Sequence, residues 1–194
     1  MSNQRIIDEA LEKLIEGNKR YVAGRPLHPH QDPDRRRDVV QGQQPFAVIL
    51  GCSDSRIPPE IIFDQGLGDI FVIRVAGNVV DDIALGSIEY AVDHLGTKLV
   101  VVLGHGKCGA VSATVQGGEA HGHVASIVKA IAPAVERAKE KPGDLLDNAI
   151  KANAAIVRDH IKSSRPLLAE AVNEGNISVI GAYYDIRSGE VEII

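Results

Sequence analysis

Tryptophan is absent from this 194-residue chain, aromatic residues make up 4% of it, and cysteine occurs only twice. A core therefore has to be assembled from Val, Ile, Leu and Ala. The two cysteines, Cys52 and Cys108, are too few for a disulfide framework. Positive charge is also short: 21 Lys and Arg face 26 Asp and Glu, for a net charge of −5. That balance speaks against nucleic acid as a partner, because phosphate binding calls for a basic patch. The one basic run, Arg35-Arg36-Arg37, is flanked by Asp32, Asp34 and Asp38 and reads as a solvated or subunit-contacting turn. Long apolar runs are missing as well, and none approaches the ~20 residues of a membrane span. The opening "MSNQRIIDEALEKL" is charged and amphipathic, without the apolar centre of a signal peptide. The expected compartment is the cytoplasm, with no membrane partner. Thiols stay reduced there, so a lone pair of cysteines reads as metal ligands or a catalytic pair.

What is present is an ordinary globular balance, 44% hydrophobic and 24% charged, at a length that suits one domain with a sizeable core. We expect a single domain over 1–194: an N-terminal helix and arm (1–45), an α/β core (46–118), then helices and C-terminal strands (119–194). Ile6, Ile7, Ala10, Leu11, Leu14 and Ile15 fall at helical spacing, with "EGN" at 16–18 as a candidate break. Residues 24–45 show no period and read as a long connecting arm. "PFAVILG" (45–51) and "KLVVVLG" (98–104) are short apolar runs of the kind buried on both faces of a parallel sheet, and "DIFVIRVAG" (69–77) reads as another strand. "PPEIIFD" can form a short helix, and "DDIALGSIEYAVDHLG" (81–96) a longer one capped by Asp81 or Asp82 and stopped by Gly96. A further helix opens at "CGAVSATVQG" (108–117). Residues 119–175 are helical in pattern, interrupted near 141–144 and 163–166. A terminal strand, turn and strand complete the chain. Strands alternating with helices predict an α/β fold with a mainly parallel sheet flanked by helices.

Open parallel sheets bind ligands beyond the carboxyl ends of their strands. Cys52 follows one predicted strand directly, and His105 and Cys108 follow another in "LGHGKCGA". If the two strands are neighbours, two thiols and an imidazole converge, a donor set that suits Zn²⁺. Each residue alone has a plainer reading, a buried cysteine or a turn histidine. Together they would require two unrelated cysteines to finish two matching strands. A phosphate loop fits "GHGKCG" poorly, because the G-x-x-x-x-G-K-[ST] spacing is missing. A redox pair of Cys52 and Cys108 leaves His105 unexplained. Three ligands leave one tetrahedral position open, as in catalytic zinc sites. In "CSDSR", Cys52, Asp54 and Arg56 are spaced i, i+2, i+4, so an extended backbone points all three the same way. Asp54 can then accept a hydrogen bond from a hydroxide at the open position, while Arg56 keeps Asp54 ionised and turned from the metal.

"CSDSR" and "GHxxCGAV", separated by "GDIFVIRVAGN" and "GSIEYAVDHLG", resemble the β-class carbonic anhydrases. The likeness runs from "LIEGNKRYVAG" to the terminal "VIGAYYDIRSGEVEI". The resemblance implies zinc-dependent, reversible hydration of CO2 to bicarbonate and a proton, by attack of zinc-bound hydroxide on CO2. It implies Cys52, His105 and Cys108 as zinc ligands and Asp54 with Arg56 as the catalytic dyad. Gln43, Phe71, Ala76 and Tyr90 match positions that line the family's substrate pocket. The family forms homodimers and homotetramers, with that pocket at the subunit interface and the N-terminal helical arm packing on a neighbouring subunit. Some members close the site by making the aspartate a fourth ligand, which assigns that alternative to Asp54. A regulatory bicarbonate site found in some members uses a tryptophan where this chain has Ile49. His28, His30, His94, His121 and His123 are open candidates for proton relay, and Lys107 sets an unusual charge between two ligands. The alternatives are hydrolysis of carbonyl sulfide or carbon disulfide at the same centre, and a non-catalytic zinc site that stabilises an oligomer.

Overall fold

The computed structural model describes residues 2–194. A five-stranded sheet runs in the order β2-β1-β3-β4-β5, with β1 Ala47–Gly51, β2 Ile70–Arg74, β3 Leu99–His105, β4 Ser178–Tyr184 and β5 Val191–Ile193. The first four strands are parallel and β5 pairs antiparallel with β4. Parallel strands need crossovers, and the helices supply them. The helices are α1 Asn3–Val22, α2 Pro33–Asp38, α3 Pro59–Ile62, α4 Asp82–Asp93, α5 Gly109–Gln116, α6 Val124–Lys139, α7 Leu145–Ser163 and α8 Leu167–Asn173. The chain leaves β1 for β2 on one side and returns across to β3 on the other. β1 is therefore the point where the winding reverses, and a crevice opens beyond its carboxyl end.

Every residue of β1 and β3 is buried, as the apolar runs predict for central parallel strands. Side chains alternate between two cores. Val48, Leu50, Val100 and Val102 pack with Ile88 of α4, Ala154, Val157 and Ile161 of α7 and Leu168 of α8. Ala47, Ile49, Leu99 and Val101 belong to the core that takes Ile7, Ala10 and Leu14 of α1. Each such aliphatic side chain contributes about 1.5–3 kcal/mol by leaving water.

Two features depart from the sequence expectations. α1 runs through 16–18 without a break, because Gly17 is needed for contact: a Cβ there would stand 1.8 Å from the Phe63 carbonyl oxygen. The arm at 24–45 contains α2, which buries no residue and so has no apolar period to betray it. Its Asp32 cap accepts from Arg35 N at 2.8 Å, and Arg35 donates to the Leu67 carbonyl at 2.9 Å and reaches Asp69 at 3.4 Å. Arg35 is thus tied to the chain's own surface, while Arg36 and Arg37 are exposed, as a solvated turn predicts. Within the chain, α1 also packs on its own sheet through Ile7, Ala10 and Leu14.

Candidate metal centre

Gly51 pairs with Leu103, so β1 and β3 deliver Cys52 and His105 side by side at the head of the crevice. Beyond His105 the chain turns through Lys107, at φ 59°, and brings Cys108 back as the residue that starts α5. Lys107 itself is exposed. Cys52, His105 and Cys108 are all buried, and their ligating atoms lie within 4.8 Å of one another. No disulfide joins the cysteines.

The histidine is held by its own turn. Its Nδ1 sits 3.1 Å from the Gly106 carbonyl oxygen, an acceptor, so Nδ1 carries the proton. Gly106 N donates in turn to the Tyr184 carbonyl at 2.9 Å. That leaves Nε2 as a bare acceptor, fully buried, with no hydrogen-bond partner among the described residues. Burying a polar atom without a partner costs on the order of 1–3 kcal/mol, a cost that a ligated metal removes. The other such atom is Asn78 Nδ2, which nothing in the structure explains.

The thiols are poised for the same purpose. Contact with the Cys108 thiol holds Cys52 well below the ordinary cysteine range, aided by His105 and by the Gly77 N–H, which donates to Cys52 Sγ at 3.1 Å. Contact with Cys52, and then burial, pushes Cys108 up. The pair therefore shares a proton that a divalent cation would displace. Two sulfurs and a free imidazole nitrogen fit Zn²⁺.

Asp54 and Arg56 stand beside this group for a reason other than the one their spacing implied. Ser55 and Arg56 form a turn, so 52–56 is not one extended segment. Arg56 N donates to Asp54 Oδ1 at 3.0 Å, closing a tight turn, and the guanidinium folds over the same carboxylate: Nε to Oδ1 at 2.9 Å and Nη2 to Oδ2 at 2.7 Å. The guanidinium also donates to the Lys107 carbonyl at 3.2 Å, which ties the dyad to the turn between His105 and Cys108. This two-point contact with Arg56 holds the Asp54 carboxyl well below the usual carboxylate range. Arg74, which the sequence reading passed over, secures the segment from the end of β2. It donates to the Cys52 carbonyl at 2.9 Å and the Asp54 carbonyl at 2.6 Å. Contacts made to backbone carbonyls leave no trace in residue spacing.

The expected pocket residues divide. Ala76 adjoins Gly77 and so lies at the centre. Phe71 pairs with Val48 near the start of β1, about 13 Å along the strand from Cys52 at ~3.3 Å per residue. Tyr90 stacks on Phe71 with ring centroids 6.3 Å apart. Gln43 is exposed and precedes Phe46, whose N–H bonds to Asp69 at the same far end of the sheet. Gln43, Phe71 and Tyr90 are thus removed from the thiols of their own chain.

A family model described as carbonic anhydrase matches residues 47–191. A carbonic anhydrase of Mycolicibacterium smegmatis is 42% identical over 190 residues, covering 95% of this chain and 91% of the relative. Carbonic anhydrase 2 of Mycobacterium tuberculosis is 42% identical over 184 residues, covering 93% and 89%. A solved structure from a study of two tetrameric β-carbonic anhydrases of Sordaria macrospora superposes with a TM-score of 0.77 at 28% identity, over 85% of this chain and 88% of that one. With likeness in sequence and in fold both running over most of its length, the chain belongs to the β-class carbonic anhydrases.

Proposed function

We propose that Cys52, His105 and Cys108 hold one zinc ion per chain, and that Asp54 and Arg56 serve the hydration of CO2 beside it. The buried, partnerless Nε2 of His105 between two thiols carries the reading. Zinc at such a centre supplies acidification of a water molecule, bringing its pKa toward ~7 and so providing a nucleophile near neutral pH. The protein's own contribution is orientation. Asp54 Oδ1 accepts two bonds from Arg56 while Oδ2 accepts one, so Oδ2 keeps a lone pair to take a hydrogen bond from the nucleophile. Arg56 fixes that lone pair in direction. With both carboxylate oxygens engaged, Asp54 is held from becoming a fourth ligand, which favours an open centre over a closed, non-catalytic one.

Gln43, Phe71, Ala76 and Tyr90 are proposed to line the site that receives CO2 and releases bicarbonate, Ala76 from the same chain and the others from a second copy. Three observations support a homo-oligomer. β2 is a sheet edge with one side unpaired. Ile83 beside it, 81% exposed, and Tyr90, 46% exposed, leave an apolar surface on α4. Between α1 and β4–β5 an apolar groove of about 510 Å³ is lined by Leu11, Ile15, Val22, Val191 and Ile193, where a neighbour's arm would fit. We read the chain as one domain, since α1 and the strands of 47–193 share one core. We also assign it to the cytoplasm, where thiols this close stay reduced and free for metal. Among the described residues no helix is long and apolar enough to cross a membrane.

The test is metal removal. Protein purified with zinc should hold one zinc per chain and hydrate CO2, lose both on chelation, and regain both when zinc is returned. Full activity after complete stripping would refute the assignment.

A further inference from the structure

Asn153 is an anomaly in α7. It is 1% exposed among Ala149, Ile150, Ala154 and Val157, where an aliphatic residue would pack at less cost. Its amide is committed to one backbone atom: Nδ2 donates to the Gly77 carbonyl at 2.8 Å. Gly77 in turn donates its N–H to Cys52 Sγ at 3.1 Å. Both polar groups of this one residue are therefore spoken for, the carbonyl by α7 and the N–H by the thiol.

Gly77 sits at φ 70°, ψ 15°, a left-handed conformation that glycine adopts without penalty. The space around it is closed. A Cβ would stand 2.7 Å from Ile131 Cδ1 and 3.2 Å from Ala110 Cβ, so α5 and α6 hold the turn from outside. Packing alone confines the position of the turn but leaves a glycine free to rotate its two peptide planes. The Asn78 N–H to Val75 carbonyl bond, 2.8 Å, closes the turn below it. The remaining constraint on the plane beyond Gly77 is the Asn153 amide.

We infer that Asn153 is a positioning residue for the metal centre: by holding the Gly77–Asn78 peptide plane it fixes the left-handed Gly77 conformation that aims the Gly77 N–H, in the preceding plane, at Cys52. An N–H donor at a sulfur withdraws electron density from it. A thiolate with that donor competes less well for protons and neutralises less of the metal's charge, leaving the metal a better acidifier of water. Partners one shell beyond a ligand commonly change metal affinity or activity 10–100-fold. The inference rests on the zinc reading above and adds a residue to it.

Cobalt(II) and zinc are the probes. Wild type, Asn153→Ala and Asn153→Asp are loaded with each, and Asn18→Ala serves as a control. Asn18 is also a buried asparagine bonded to backbone, to the Ile62 and Gly189 carbonyls at 3.1 and 2.8 Å, but has no path to a thiol. In the Asn153 variants the thiolate-to-cobalt absorption should move to lower energy and zinc affinity by chelator competition should fall about tenfold or more. The midpoint of the hydration pH profile should rise. Asn18→Ala should lose melting temperature without any of these changes. An Asn153 variant with the wild-type cobalt spectrum and zinc affinity, whatever its melting temperature, would overturn the inference. Should both Asn153 variants fail to fold, the same readouts are taken on the milder Asn153→Gln, and absence of cadmium-113 coupling to the Gly77 amide proton in wild type would overturn the inference by removing the N–H to sulfur link it depends on. Wild type that takes up neither metal would instead refute the zinc reading itself.

Discussion

Arg56 is half exposed, and a pair of that kind usually contributes little to stability. Yet it occupies both oxygens of Asp54 and the carbonyl of Lys107 at once. Small energetic weight and high geometric constraint separate its two possible roles. Arg56→Ala should leave the melting temperature nearly unchanged while kcat/KM for CO2 hydration falls about 100-fold, the scale of a misplaced catalytic group. A large loss of stability with activity kept would assign Arg56 to the fold. The sequence brought Cys52, Asp54 and Arg56 together for a reason the structure corrects. Alternation along an extended chain was the expected cause; a side-chain-closed turn is the actual one. Arg74, Gly77 and Asn153 were not legible, because each acts through a backbone atom. Only their hydrogen bonds identify them.

At the scale of elements, the short Val, Ile and Leu runs marked β1 and β3, and the residues that end them marked the metal group. The arm between α1 and β1 was illegible because polar groups hold it. Asp64 is central to that hold. Its side chain is 1% exposed and accepts from Arg20 Nε at 2.6 Å, Leu27 N at 2.9 Å and His28 N at 3.0 Å. Burial pushes the Asp64 carboxyl up, but the Leu27 N–H, Arg20 and the His28 N–H together outweigh it and leave it lowered. A carboxyl lowered in the folded state contributes stability above its unfolded value of ~3.9 and loses it as pH falls through the folded value. Asp64→Asn should therefore cost about 1.5–3 kcal/mol at neutral pH, and the gap to wild type should close in acid. Urea unfolding at neutral pH and again below about pH 4 reads both. A gap constant across that range would contradict the account.

For the whole molecule, the decisive point is that one chain supplies the thiols, the imidazole and the dyad but sets Gln43, Phe71 and Tyr90 at the other end of its sheet. Composition and periodicity describe one chain, so they carry no sign of the completion by a second copy that is proposed above. The motif likeness named these residues without saying which copy's centre they serve. Phe71→Asp, placed on the β2 edge strand, should shift the protein to monomers in sedimentation and abolish hydration while one zinc per chain is retained. Monomers with wild-type activity would show that the centre is complete within one chain.

The most direct test of the account is stopped-flow CO2 hydration by zinc-replete protein, scanned from about pH 6.5 to 9 to follow the ionisation that generates the nucleophile. The account predicts a rate that rises with pH to a plateau and vanishes in the zinc-free protein. Folded, oligomeric protein with one zinc per chain and no hydration at any pH in that range would contradict it.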